Sequence, residues 1–101
     1  MSKSSFDNKQ LRAIGHKLKP VVTVAGNGVS ESVLEEINRA LNDHELIKVK
    51  INVEREYRQL LSDSICQSTS AELIQSVGGI VLILRRTEKP NPRLSNLIRR
   101  V

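Results

Sequence analysis

Between Ser5 and Leu18 the apolar residues Leu11, Ile14 and Leu18 fall three and four positions apart, the spacing of one face of a helix. Ser5 or Asp7 can cap that helix, and Pro20 ends it at or before Lys19, because proline disfavours helical geometry in the residue before it. Gly15 weakens its last turn. Val21-Val22-Thr23-Val24-Ala25 is a β-branched run bounded by Pro20 and Gly26, which predicts a buried strand and then a turn at Gly26-Asn27-Gly28. Beyond Ser30, a second capping residue, Val33, Leu34, Ile37, Ala40 and Leu41 make a broad helical stripe. Glu31 complements the dipole of its first turn, and Glu35 and Glu36 lie toward solvent. From Leu46 to Ile51 the pattern changes to alternation, with Ile47, Val49 and Ile51 on one face of a strand and Lys48 and Lys50 on a wet one.

A third helix is predicted from about Arg55 to Gln67, with Tyr57, Leu60, Leu61, Ser64 and Ile65 on one side. Ala71 to Val77 and Ile80 to Leu84 read as strands joined by Gly78-Gly79 in a tight hairpin. The order is αβαβαββ, an α/β (α+β-like) fold whose first two strands run parallel through a right-handed crossover. Residues 1–86 are expected to form the domain. Residues 87–101, basic and carrying Pro90 and Pro92, read as a flexible tail in which Leu94, Leu97, Ile98 and Val101 could form an amphipathic turn on a partner.

A chain of 101 residues holds one compact domain and no separate cofactor domain. Its net charge of +5 is unevenly spread: residues 1–19 carry five basic groups against Asp7, residues 85–101 six against Glu88, and the middle is net acidic. If the fold brings the two ends together, they make a basic surface suited to polyanions. Charge of this kind is equally compatible with simple solubility, so it decides nothing by itself.

Signs of catalysis are few. His16 and His44 are the only histidines and lack metal-ligand spacing. Cys66 is the single cysteine, which rules out an intramolecular disulfide and suits a reducing compartment. No enzyme activity, metal or cofactor is expected. Neither a signal-peptide pattern nor an apolar run long enough to span a bilayer is present, so a cytoplasmic location and no membrane partner are expected, with the chain a monomer.

The glycine turn between a strand and a helix N-terminus is the other candidate site. Alone, it is most simply a turn that needs glycine; a dinucleotide fingerprint would put a third glycine where Glu31 stands. In single-stranded RNA-binding modules of the KH type, however, a glycine-bounded loop clamps the nucleic-acid backbone beside basic residues. Gly26, Asn27 and Gly28, with Lys17, Lys19, Lys48, Lys50, Arg85 and Arg86, supply those ingredients. Phe6 and Tyr57 are the only aromatics, and with Tyr57 on a helical apolar stripe no stacking platform is expected. Binding should therefore depend on backbone and shape.

Leu18-Lys19-Pro20-Val21-Val22, Gly26-Asn27-Gly28-Val29-Ser30-Glu31 and above all His44-Glu45-Leu46-Ile47-Lys48-Val49-Lys50-Ile51 resemble the bacterial YhbY-like members of the CRM (chloroplast RNA splicing and ribosome maturation) family over residues 5–86. The resemblance implies a mixed four-stranded sheet with helices on one side, similar to the C-terminal domain of a bacterial translation initiation factor. It also implies RNA binding, with large-subunit rRNA or precursor particles as partners in bacteria and intron splicing in plant organelles. The family's G-x-x-G loop carries over onto Ala25-Gly26-Asn27-Gly28, with Ala25 in place of the first glycine and Gly26 available for an unusual backbone conformation. The tail lies outside these motifs; a module that docks on ribosomal proteins or assembly factors through it is the alternative.

Overall fold

The computed structural model describes residues 6–26 and 28–98. The expected order is present: α1 (Asn8–His16), β1 (Pro20–Val24), α2 (Glu31–His44), β2 (Leu46–Ile51), α3 (Arg55–Thr69), β3 (Glu72–Val77) and β4 (Ile80–Leu84). Asp7 caps α1 in a capping box: its carboxylate accepts from Gln10 N–H at 2.8 Å, and the Gln10 side chain accepts from Asp7 N–H at 2.9 Å. Ser30 caps α2 by accepting from Val33 N–H. The strands form one mixed sheet in the order β1-β2-β4-β3, with β1 and β2 parallel and the other pairs antiparallel. Pro20 opens an edge strand, where its missing N–H costs no ladder bond.

Strand alternation divides the core in two. Val22, Val24, Ile47, Val49, Ile51, Val81 and Ile83 pack under Ile37 and Leu41 of α2 and Ile65 of α3. On the opposite face, Leu46, Ile74, Leu82 and Leu84 pack with Leu11 of α1 and Leu97. The expectation of helices on one side thus holds for α2 and α3 and fails for α1. Gly15 lets α1 come close: a Cβ there would lie 2.6 Å from a terminal carbon of Leu82, itself buried. Its value is contact with the sheet rather than any local weakening of the helix.

The buried side of α3 is also rotated from the expected one. Leu61, Ser62, Ile65 and Thr69 face the core, whereas Tyr57 is 51% and Leu60 68% exposed. Two small hydroxyl residues can be buried there because each bonds back within its own helix, Ser62 Oγ to Arg58 O and Thr69 Oγ1 to Ile65 O, both at 2.8 Å.

The segment after β4 does not leave the domain. Glu45, at φ +65° and almost fully buried, accepts from Thr87 N–H at 2.8 Å and from Ser95 Oγ at 2.7 Å. Asn96 donates from its backbone to His44 O and from its side chain to Leu46 O, and Leu97 completes the second cluster at 4% exposure. The segment expected to leave the domain is therefore anchored on it at Thr87 and from Leu94 to Leu97. The motif His44-Glu45-Leu46 supplies the polar sockets that hold this segment, and the desolvated carboxylate is tolerated because both its oxygens are bonded. Val101 lies outside the described residues.

Candidate nucleic-acid interface

The two faces of the sheet differ in charge. The helices that cover one face expose Glu31, Glu35 and Glu36 beside Arg39 on α2, and Glu56 and Asp63 beside Arg55 on α3. The other face carries α1 with Lys9, Arg12 and His16, then Lys17 and Lys19, and the β2 lysines. The two basic ends of the chain do meet here: Leu11 and Leu97 share one cluster, and the Arg86 guanidinium lies 5.9 Å from the centre of the Phe6 ring.

Lys48 and Lys50 point to the same side as Leu46, because side chains two apart on a strand share a face. α1 and Leu97 cover that side around Leu46, Leu82 and Leu84; beyond them it is open. Across the open part, Lys50 stands beside Thr23 on β1 and Ile80 on β4, and Lys48 beside Leu82. Lys48 and His16 line one hollow with Gln75, Val77 and Ile80, while Lys17 and Lys19 line the next with Val21. Lys17, Lys19, Lys48 and Lys50 are thus brought onto one face around the start of β1 and the middle of β2.

Arg85 and Arg86 are separated by strand parity. Arg85 follows Val81 and Ile83 toward α2 and α3, where its guanidinium donates to Asn38 Oδ1 and Thr69 O at 2.7 Å, Asn42 Oδ1 at 2.9 Å and Asn38 O at 3.1 Å. Four of its five N–H groups are committed, one to a carbonyl at the end of α3, so Arg85 is a clasp between helices rather than a phosphate ligand. Arg86 follows Leu82 and Leu84 to the α1 side and is half exposed, its Nε 3.6 Å from Glu45 Oε2.

The glycine loop leaves β1 at the end of the sheet where Lys50 stands. Gly28 N–H donates to Ala25 O at 2.9 Å, and Gly28 has φ +86°, a conformation costly for a side chain. Ala25 and Gly26 are not in that region, so Gly28 rather than Gly26 takes the unusual conformation and an alanine fits where the family has its first glycine. A Cβ on Gly26 would meet nothing within 4 Å; the backbone there is open on its outer side. Asn27 lies outside the described residues. The loop stands between two hollows, one of about 370 Å³ bordered by Thr23, Ser30 and Val33, the other of about 660 Å³ bordered by Asn52 to Arg55, Tyr57 and Arg58.

Arg55, Arg58 and exposed Tyr57, whose place on the helical stripe concealed this position, border the larger of these hollows. Among the remaining candidates, His44 Nδ1 lies 2.8 Å from Leu94 O and so belongs to the packing of the C-terminal segment. The Cys66 thiol, half-buried in α3, is pushed up from its ordinary pKa first by desolvation and then by Asp63. Among the described residues, no group of three His, Cys, Asp or Glu side chains could hold a metal ion, and no helix is long and apolar enough to cross a membrane.

Residues 4–85 match the CRS1/YhbY (CRM) domain. The chain belongs to that family. Among CRM relatives, a Pseudomonas aeruginosa protein named "Probable RNA-binding protein" is 49% identical over 100 residues, covering 98% of this chain and 96% of its own. A Haemophilus influenzae protein named "RNA-binding protein" is 43% identical over 96 residues, or 93% and 97% of the two chains. The solution structure of a hypothetical Staphylococcus aureus protein superposes with a TM-score of 0.73 at 25% identity, over 81% of this chain and 86% of that one. RNA binding is the activity in the names of both sequence relatives, and a CRM domain with one basic face fits it.

Proposed function

We propose that this CRM domain binds RNA mainly through the phosphate backbone, and that its RNA is large-subunit rRNA in precursor particles during ribosome assembly. The observation that supports the reading is the sorting of charge by the sheet, which places Lys17, Lys19, Lys48 and Lys50 on one face leading to an open glycine loop. Lysines of this kind act as point charges on phosphates and carry no base information, so affinity should be strongly salt-dependent and sequence preference weak. Arg86 borders the surface; Arg85 does not contribute.

The test is sedimentation of a cell lysate on sucrose gradients at low and high salt, together with binding of purified protein to RNA across a salt series. The protein is expected to travel with large-subunit or precursor particles at low salt and to leave them at high salt. Lys48→Ala with Lys50→Ala should flatten the slope of log affinity against log salt by about 1.5, with the fold retained because both side chains border solvent. Residence at the top of the gradient under both conditions would sink the ribosomal assignment. An unchanged slope in the double variant would remove the sheet face from the site. Docking through the C-terminal stripe has less support, since Leu97 is spent inside the domain.

A further inference from the structure

The hollow of about 660 Å³ beside the glycine loop plays no part in a purely electrostatic reading. Gly26 borders it on one side and the start of α3 on the other, with Arg55, Tyr57 and Arg58 in its wall. Its size falls among sites that take a small ligand. Three features point to one chemistry. Tyr57 is half exposed although it is the only tyrosine of a chain with no tryptophan, and Leu60, one turn further on, is exposed as well. Gly26 has no side chain to block approach, and its φ and surroundings do not demand glycine for folding. The two arginines stand on either side of the tyrosine in sequence; Arg58 is partly used, its Nε donating to Val53 O at 3.3 Å, and among the described residues its terminal nitrogens have no hydrogen-bond acceptor. Glu54 also borders the hollow, so the three charged groups leave it net positive.

We infer that this hollow is a subsite for one unpaired nucleotide, whose base stacks on the Tyr57 ring and whose phosphates meet Arg55 and Arg58 as the strand crosses Gly26. This rests on the RNA-binding reading and adds to it a preference for single strands. A base in a duplex has its faces occupied by its neighbours and cannot reach an isolated ring, whereas an unstacked base can. An exposed tyrosine flanked by arginines beside a glycine loop suits a nucleic-acid strand better than an apolar peptide, for which the arginines and Glu54 would be a desolvation cost.

The experiment compares wild type, Tyr57→Ala, Tyr57→Leu and Tyr57→Phe on a short fluorescein-labelled single-stranded RNA and on the same strand annealed to its complement, by fluorescence anisotropy at one low salt concentration. Circular dichroism verifies that each variant is folded, as the exposure of Tyr57 leads one to expect. Tyr57→Ala and Tyr57→Leu should bind the single strand at least about five-fold more weakly, the smallest effect ordinarily seen when one stacked base is lost. Both should bind the duplex as wild type does, and Tyr57→Phe should retain affinity on both probes. Unchanged single-strand affinity in Tyr57→Ala, or an equal loss on both probes, would overturn the subsite while leaving the basic face intact. Failure of wild type to bind either RNA would overturn the RNA reading, and the subsite with it.

Discussion

Replacing Leu97 by alanine asks whether the C-terminal segment belongs to the folded unit. Leu97 is 4% exposed and packs with Leu11, Leu46, Ile74, Leu82 and Leu84. Removing most of its side chain loses the transfer energy of those atoms and leaves a cavity, which together cost ~2–5 kcal/mol at core leucines. The segment lies near the end of the chain and can settle partly into the space, so the lower half of that range, about 2–3 kcal/mol, is expected. With a urea dependence of about 1–1.5 kcal/mol per molar for a chain of this size, the midpoint should fall by about 2 M. The thermal midpoint should fall by roughly 10–20 °C. Ile98, the next residue, is 48% exposed, and its alanine variant should stay within about 1 kcal/mol of wild type. The assay is urea unfolding followed by far-ultraviolet circular dichroism on the three proteins. A Leu97→Ala unfolding free energy within about 0.5 kcal/mol of wild type, or equal shifts in the two variants, would refute the packing argument and return the segment to a tail.

Arg85→Ala should destabilise by about 2–4 kcal/mol, since it strips four charge-assisted bonds and uncovers Thr69 O, and lysine should restore less than half because it lacks the forked guanidinium. The salt slope of RNA binding should not change in either variant, which separates Arg85 from Lys48 and Lys50. Gly28→Ala should cost about 1–2 kcal/mol for its positive φ, whereas Gly26→Ala should leave urea stability untouched and weaken RNA binding by obstructing the loop. Because burial and Asp63 raise the Cys66 pKa, the folded thiol stays protonated to higher pH than the unfolded one. Its contribution to stability is present below the unfolded pKa and is lost as pH rises through the folded one. At mildly alkaline pH its reaction with a disulfide reagent should be slower in the folded protein than in the urea-unfolded chain; equal rates would contradict the burial argument.

Much of the local structure was legible in the chain. Asp7 and Ser30 as caps, the β2 alternation and the Gly78-Gly79 hairpin depend on contacts within a few residues, and those are written in spacing and residue type. The sequence motifs also led to the right family. Which side of the sheet each element covers depends on residues far apart in the chain, and there local patterns are ambiguous. Ile80 to Leu84 is apolar without alternation, the mark of a strand covered on both faces, and it was the available signal that α1 lies opposite α2 and α3. Once the faces are known, parity alone sends Arg85 to the helices and Arg86 to the basic side.

Other features had no signal strong enough to read. Two stripes compete on α3, sharing Leu61 and Ile65, and the apolar count favours the one with Tyr57 and Leu60. The tertiary structure buries the other, because Ser62 and Thr69 satisfy their hydroxyls on their own helix and are small enough to lie against the sheet. Glu45 reads as a surface acid until Ser95 and Thr87, some forty to fifty residues later, arrive to bond it. The sequence by itself determined where helices and strands form and that positive charge gathers at the chain ends. Only the tertiary structure decided that those ends meet on one face, that one arginine of a pair is spent internally, and that the lone tyrosine stands open beside the glycine loop, because each depends on which distant groups are available to desolvate or satisfy it.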